Sequence, residues 1–259
     1  MTKNQSKATQ QANMRSASER AAAVREEYAR KERRTRTLLV TAAVVAVLII
    51  VVAVVVAVQA GRDTTGEAGA VPSGAVDTYS VAMGKADAPV QVTVYEDPMC
   101  PACGQFEAVS EDTLKKYADS GDVQVRYHMV SFLDTASSTR YSTRAANAVG
   151  VVLDTAGSDV AVRFHNALYA NQPPEGSAGL SDEQLVALAV KAGADEQSIK
   201  GPIADLKFEQ WVVNATDAWS SKGYNGTPTV TVNDKKVSFT SAHDLLANTE
   251  KAIQDALAK

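Results

Sequence analysis

The chain has 259 residues, enough for one large domain or two small ones, and its 45% hydrophobic content excludes a polymer too polar to bury a core. Its formal charge of −4 is unevenly spread: residues 1–37 hold ten Lys or Arg against four Glu, a net of +6, which leaves −10 for the rest. The two parts therefore face different surroundings, and the basic part reads as a topology signal rather than a nucleic-acid surface.

Within residues 1–37, residues 14–36 fit a charged helix, and Arg30, Lys31, Arg33, Arg34 and Arg36 crowd its end. Leu38–Val58 follows, 21 residues without a charge and with Thr41 as the sole polar member. At 1.5 Å per residue a helix of that length reaches about 31 Å, matching a hydrocarbon core of roughly 30 Å. Arg62, beyond it, is balanced by Asp63 and Glu67, so the excess of positive charge places the N-terminus in the cytoplasm. The alternative is a secretory signal cleaved near Ala60, although the apolar run exceeds the 7 to 15 residues such signals use. Either way the remainder lies outside, where disulfides form and persist. Residues 59–77, rich in Gly, Ala, Ser, Thr and Asp, read as a flexible linker to a domain at 78–259.

In that domain Val90–Glu96 (VQVTVYE) has the β-branched, apolar character of a buried strand, and Phe106, Val109, Leu114 and Tyr117 line one side of a helix expected over 102–119. Gly121-Asp122 breaks it, and Val123–Val130 alternates as a second strand, giving a right-handed parallel β-α-β unit. Helical patterns follow at 138–155, 158–170, 181–192 and 203–222, broken at Gly157, at Asn171-Gln172-Pro173-Pro174 and at Gly201-Pro202. Two short strands, 229–232 and 236–239, flank a turn at Asn233-Asp234-Lys235, and a helix over 244–258 closes the chain.

Both cysteines lie where the first strand gives way to the first helix, in Cys100-Pro101-Ala102-Cys103. A helical spacing of three puts the two sulfurs on one face. Cys100 falls at the helix N-terminus, where free amides and the helix dipole favour thiolate, and Pro101 suits the first turn. A purely structural disulfide is a weak alternative, since so short a loop contributes roughly 2 kcal/mol. A zinc knuckle needs two further ligands; His128, His165 and His243 are far apart in sequence and lack a motif, so the reading includes no metal and no cofactor. Trp211 and Trp219, at helical spacing, read as core.

A β-α-β unit, a helical insertion at about 136–200 and a closing α-β-β-α series is the element order of a thioredoxin fold. Gly84-Lys85-Ala86-Asp87-Ala88-Pro89-Val90, Glu96-Asp97, the Cys100–Cys103 motif, Phe106-Glu107 and Gly226-Thr227-Pro228-Thr229-Val230 together resemble the DsbA-like thiol-disulfide oxidoreductases, specifically their membrane-tethered bacterial members. The resemblance implies an exposed nucleophile at Cys100, a buried resolving thiol at Cys103, and a redox disulfide between them. It also implies a cis peptide before Pro228, against a cis frequency of about 5–6% for such bonds, and a substrate-pairing backbone at Thr227. Threonine at that position is common in isomerase-type relatives. Glu107 matches an acidic position of the family, a solvated first-turn carboxylate being the competing reading. Glu96 and Asp97 are candidate proton acceptors for Cys103 or else solvent-facing strand-end residues. Ala102 departs from the Pro-His pair of DsbA itself. The resemblance further implies an oxidase of exported proteins with free thiols, reoxidised by a membrane partner. A reductase or isomerase on the same fold, or an anchored binding module with an inert disulfide, are the alternatives.

Overall fold

The computed structural model of the chain describes residues 69–259, so the basic segment 1–37, the apolar run 38–58 and most of the linker lie outside the described residues. Among the described residues no helix is long and apolar enough to cross a membrane. The elements are β1 (Ser80–Met83), β2 (Val90–Glu96), α1 (Pro101–Ser120), β3 (Val123–Met129), α2 (Tyr141–Ala156), α3 (Ser158–Ala170), α4 (Asp182–Ala192), α5 (Glu196–Ala204), α6 (Glu209–Ser221), β4 (Thr229–Val232), β5 (Lys235–Lys236) and α7 (Ala242–Leu257).

The strands form one mixed sheet in the order β1-β3-β2-β4-β5. β2 and β3 are parallel, with Val92 beside Val125 and Val94 beside Tyr127, and all four side chains are buried. Both faces of this pair are covered, which is why these strands read as apolar runs. α1 makes the crossover, and its buried positions Cys103, Phe106, Ser110, Leu114 and Ala118 recur every three or four residues. It stops at Gly121, whose left-handed conformation (φ 85°) returns an N–H to the Ala118 carbonyl. On the opposite face, the His128 ring of β3 bonds the Ala215 carbonyl of α6 at 2.9 Å. Trp211 and Trp219 of α6 are buried, as expected of core residues.

α2 to α5 form the helical insertion. α2 is buried almost all round (Ala145, Ala146, Ala148, Val149, Val151, Val152, Leu153), as befits a helix enclosed by its neighbours. Asn147, in its middle, ties the insertion to α6 by accepting the Phe208 N–H at 2.8 Å and donating to the Ile203 carbonyl.

Four expectations need correction. β1 was not expected, because four residues are too few to establish alternation. α5 runs through Gly201-Pro202, the pair read as the break before a helix at 203, and its Asp195 cap accepts the Ser198 N–H at 3.0 Å. Pro202 sits near the end of this short helix, where little of the ladder remains to be interrupted, and the next helix begins at 209 rather than 203. β5 begins at Lys235 rather than Lys236, because Asn233 and Asp234 both adopt positive φ (46° and 61°), the requirement of a tight two-residue hairpin, and it spans two residues rather than four. The end of the linker is not a free tether: Pro72 is buried against Gly150, Ser73 N–H donates to Asp154 at 2.9 Å, and Val76 bridges Ser80.

Candidate active site

β2 ends at Glu96 and the chain turns tightly before α1 begins. Asp97 closes that turn twice: its carbonyl accepts the Cys100 N–H at 3.0 Å, and its carboxylate accepts the Met99 N–H at 2.8 Å. Cys100 thereby becomes the N-cap of α1, in extended conformation (φ −75°, ψ 116°), with Pro101 in the first turn. Its carbonyl accepts the N–H groups of Cys103 and Gly104 at 3.0 and 3.2 Å, and the amides of Ala102 and Cys103 also help to lower its thiol, without a cap hydrogen bond to the sulfur. Pairing of β4 with β2, which sets Thr229 beside Tyr95, brings the segment before β4 over the same turn. The Thr227–Pro228 peptide bond in that segment is cis. The Thr227 carbonyl accepts from Cys100 Sγ at 3.3 Å, and the buried Thr227 hydroxyl has no hydrogen-bond partner.

Both cysteines are free thiols, and their surroundings drive them apart. A hydrogen bond from the Cys103 thiol holds Cys100 down at about 6; burial opposes this, and the Thr227 hydroxyl and the helix amides assist it. Burial pushes Cys103 well above the ordinary thiol range, and the Cys100 thiolate and Glu96 push it further. Cys100 is 7% exposed and Cys103 0%, so the residue expected to be exposed is largely enclosed, though less completely than its partner. The arrangement supplies one activated thiolate and one masked thiol, the requirement for stepwise disulfide exchange.

Beneath the pair lie buried charges. Asp97 is fully buried, and burial pushes it up to about 7 against hydrogen bonds from Ser142 Oγ (2.6 Å), Leu133 N–H and Met99 N–H (2.8 Å each). Glu96 is also fully buried and pairs with the ring of His165 from α3. Glu107 is 4% exposed, and burial together with the Glu96 charge raises it well above the carboxylate range. The solvent-facing readings of Glu96, Asp97 and Glu107 are thereby excluded. The closing residue of this group, His165, carries no sequence signal, being one imidazole in a helix without a motif. Glu96, Glu107 and His165 are the described residues that bring three possible metal-ligand atoms within 4.8 Å, but one His165 nitrogen is already taken by Glu96.

Gln172, read in the sequence only as part of a helix break, is also drawn in. Its amide donates to the Pro98 carbonyl at 3.1 Å and the Cys100 carbonyl at 2.9 Å. It occupies a notch opened by Gly104, where a Cβ would stand 2.2 Å from its oxygen, so the insertion grips the start of α1 directly.

Residues 77–255 match the family model described as thioredoxin. Over 158 residues the chain is 34% identical to serine/threonine-protein kinase PknE of Mycobacterium tuberculosis; the match takes in 58% of this chain and spans 28% of the kinase's length. The reduced form of the disulfide bond oxidoreductase DsbG from Mycobacterium tuberculosis is similar at 30% identity and a TM-score of 0.58, over 70% of this chain and 93% of that one. Oxidised BdbD from Bacillus subtilis is similar at 25% identity and a TM-score of 0.62, over 74% of this chain and 100% of that one.

Proposed function

The chain belongs to the thioredoxin family as a thiol-disulfide oxidoreductase of the DsbA type, and from that premise we propose that it is an oxidase that introduces disulfides into exported proteins. A substrate thiolate attacks Cys100 of the Cys100–Cys103 disulfide, and Cys103 leaves with the electron pair. A second substrate thiolate then attacks the substrate sulfur of the mixed disulfide and releases Cys100 as thiolate. The substrate has lost two electrons and the enzyme has gained them, so a disulfide-bearing or quinone-linked membrane partner must take them back. The Thr227 backbone is the substrate-pairing edge beside Pro228, and exposed Phe132, tilted against Trp219 with centroids 5.3 Å apart, offers an apolar surface for unfolded chains.

One observation carries the direction of transfer: Cys100 is held down at about 6 by donors that act only on the reduced form. Stabilising the reduced form makes the disulfide more oxidising, and a tenfold change in equilibrium corresponds to about 30 mV. Ala102 contributes an amide but neither a side-chain donor nor a charge. The expected potential therefore lies below the roughly −120 mV of DsbA and well above the roughly −270 mV of thioredoxin, and Ala102→His raises it by tens of millivolts. Equilibration against glutathione measures it, and a value at or below roughly −230 mV defeats the oxidase in favour of a reductase. An anchored binding module with an inert disulfide is defeated in turn by turnover of a reduced, unfolded test protein.

We further propose a single-pass anchor over 38–58, supported by its length and flanking charge, with the catalytic domain extracytoplasmic. A reporter fused after Lys259 is expected to be active only outside the cytoplasm and to remain in the membrane fraction. Recovery of a mature form beginning at Gly61 replaces the anchor with a secreted enzyme.

A further inference from the structure

We infer that Gln172 is a positioning residue for Cys100: reaching out of the helical insertion, its side-chain amide ties down the Pro98 and Cys100 carbonyls of the turn that carries the sulfur, and residue 104 is glycine so that this amide fits. The inference rests on Cys100 being the reacting thiol, as proposed above, but not on the direction of electron transfer.

Two acceptors fix how the amide lies. Nε2 donates to the Cys100 carbonyl at 2.9 Å and to the Pro98 carbonyl at 3.1 Å, a place that only the nitrogen of the amide can take, since its oxygen has no proton to offer. Oε1 therefore lies over Gly104, where a Cβ would stand 3.0 Å from the amide carbon and closer still to the oxygen. Glycine is a poorer helix former than alanine, so α1 gives up some helix stability at residue 104 to open the notch. Gln172 is itself held. Its N–H bonds the Tyr169 carbonyl at 3.2 Å at the end of α3, where Leu168 and Tyr169 are buried, and Pro173 behind it restricts its backbone to extended conformations.

The turn is fixed from two sides. From within, Asp97 holds its N–H groups: the carboxylate takes that of Met99 and the carbonyl takes that of Cys100. From the insertion, Gln172 holds its carbonyls, sharing that of Cys100 with the Cys103 and Gly104 N–H groups. Everything that makes Cys100 reactive depends on where this turn sets the sulfur. The Cys103 thiol, the amides of Ala102 and Cys103, and Thr227 all act at hydrogen-bond range, and Thr227 belongs to the segment before β4, on a different element. A rotation at the Cys100 cap would carry the sulfur away from these groups together. Gln172 bears no net charge, so a change in the thiol that follows its removal reports a displaced sulfur rather than a deleted counter-charge.

The test makes Gln172→Ala and Gly104→Ala, singly and together, in the full-length chain. In each reduced protein the pH dependence of Cys100 alkylation is followed by mass spectrometry, beside a thermal melt. The wild-type midpoint is expected at about 6. Gln172→Ala is expected to raise it by about half a unit or more, roughly halving alkylation at pH 6. Gly104→Ala should raise it by as much, because the new methyl pushes aside the far end of a flexible side chain and leaves the backbone in place. In the double variant the two shifts do not add, and Gly104→Ala now raises the melting temperature, since alanine is the better helix former once the notch is empty. Asn171→Ala, which removes a bond to the Ala167 carbonyl at the same helix end, should leave the midpoint at about 6. Unchanged midpoints in both single variants, or shifts that add in the double, overturn the inference and leave Gln172 a merely structural contact. Should Gln172→Ala fail to fold, Gly104→Ala decides alone, with an unmoved midpoint overturning the inference. A wild-type midpoint near the ordinary value of 9 would sink the activated-cysteine reading and this inference with it, and a low reduction potential would sink the oxidase alone.

Discussion

Cys103→Ser is expected to abolish turnover and to accumulate a mixed disulfide between Cys100 and substrate, whereas Cys100→Ser accumulates none. The asymmetry follows from access and ionisation together. Cys100 is the less enclosed of the two, 7% exposed against 0%, and is held at about 6, so it is largely thiolate at neutral pH. Cys103 is enclosed under Cys100 and raised well above the thiol range, so it acts only on a sulfur already bonded to Cys100. Replacing it removes the leaving group and the resolving thiol at once but leaves a hydroxyl that still donates toward Cys100. The cost to the fold is therefore limited, on the order of 1–3 kcal/mol for a buried polar exchange. Non-reducing electrophoresis with a disulfide-bearing client reads the trap directly: the Cys100 thiolate attacks the client disulfide, one client sulfur leaves as thiolate, and the other stays bonded to Cys100 because no resolving thiol remains. Mixed disulfides that form as readily on Cys103 in the Cys100→Ser variant would reverse the roles of the two cysteines.

The stability of the reduced protein relative to the oxidised one is expected to rise with pH between about 6 and 9. A thiol whose folded pKa is depressed, here from 9 to about 6, binds its proton more tightly in the unfolded chain. Stability from such a group is fully present above the unfolded pKa, declines as pH falls between the two values, and is gone below the folded one. The oxidised protein carries no titrating thiol at position 100 and supplies the baseline. A shift of this size corresponds to about 4 kcal/mol, or about 2 after a discount for solvent screening. For a domain of this size that is a difference of roughly 4–8 °C in relative melting temperature across the range. Paired thermal melts of the two redox forms check it, and a difference that stays flat from pH 6 to 9 would show that Cys100 is not held as thiolate by the fold.

These outcomes separate what local sequence determined from what required tertiary structure. VQVTVYE, the Cys-Pro-Ala-Cys turn, the stripe of α1 and VQVRYHM each state their conformation within a window of a dozen residues, through apolar period, proline placement and the Gly121 stop. The parallel β-α-β unit and Cys100 at a helix start follow from them. The Thr227–Pro228 peptide was expected to be cis only through family resemblance, because local preference favours trans.

Only the folded structure decided the environment beneath the cysteines. Glu107 occupies a second-turn position, and a carboxylate there reads by local rules as hydrated. It is buried because α3 closes over that side of α1, and Glu96 gains its counter-charge from His165, 69 positions away. Gln172 reaches the Cys100 carbonyl from 72 positions away, through a notch that exists only because residue 104 has no side chain. The last residues of the linker, polar and small by composition, are ordered by a surface that α2 and α6 build together. Burial, pairing and the resulting pKa shifts belong to neighbours distant in the chain. A periodicity records which side of a helix is apolar, but the groups that meet a carboxylate there are set by how the insertion packs.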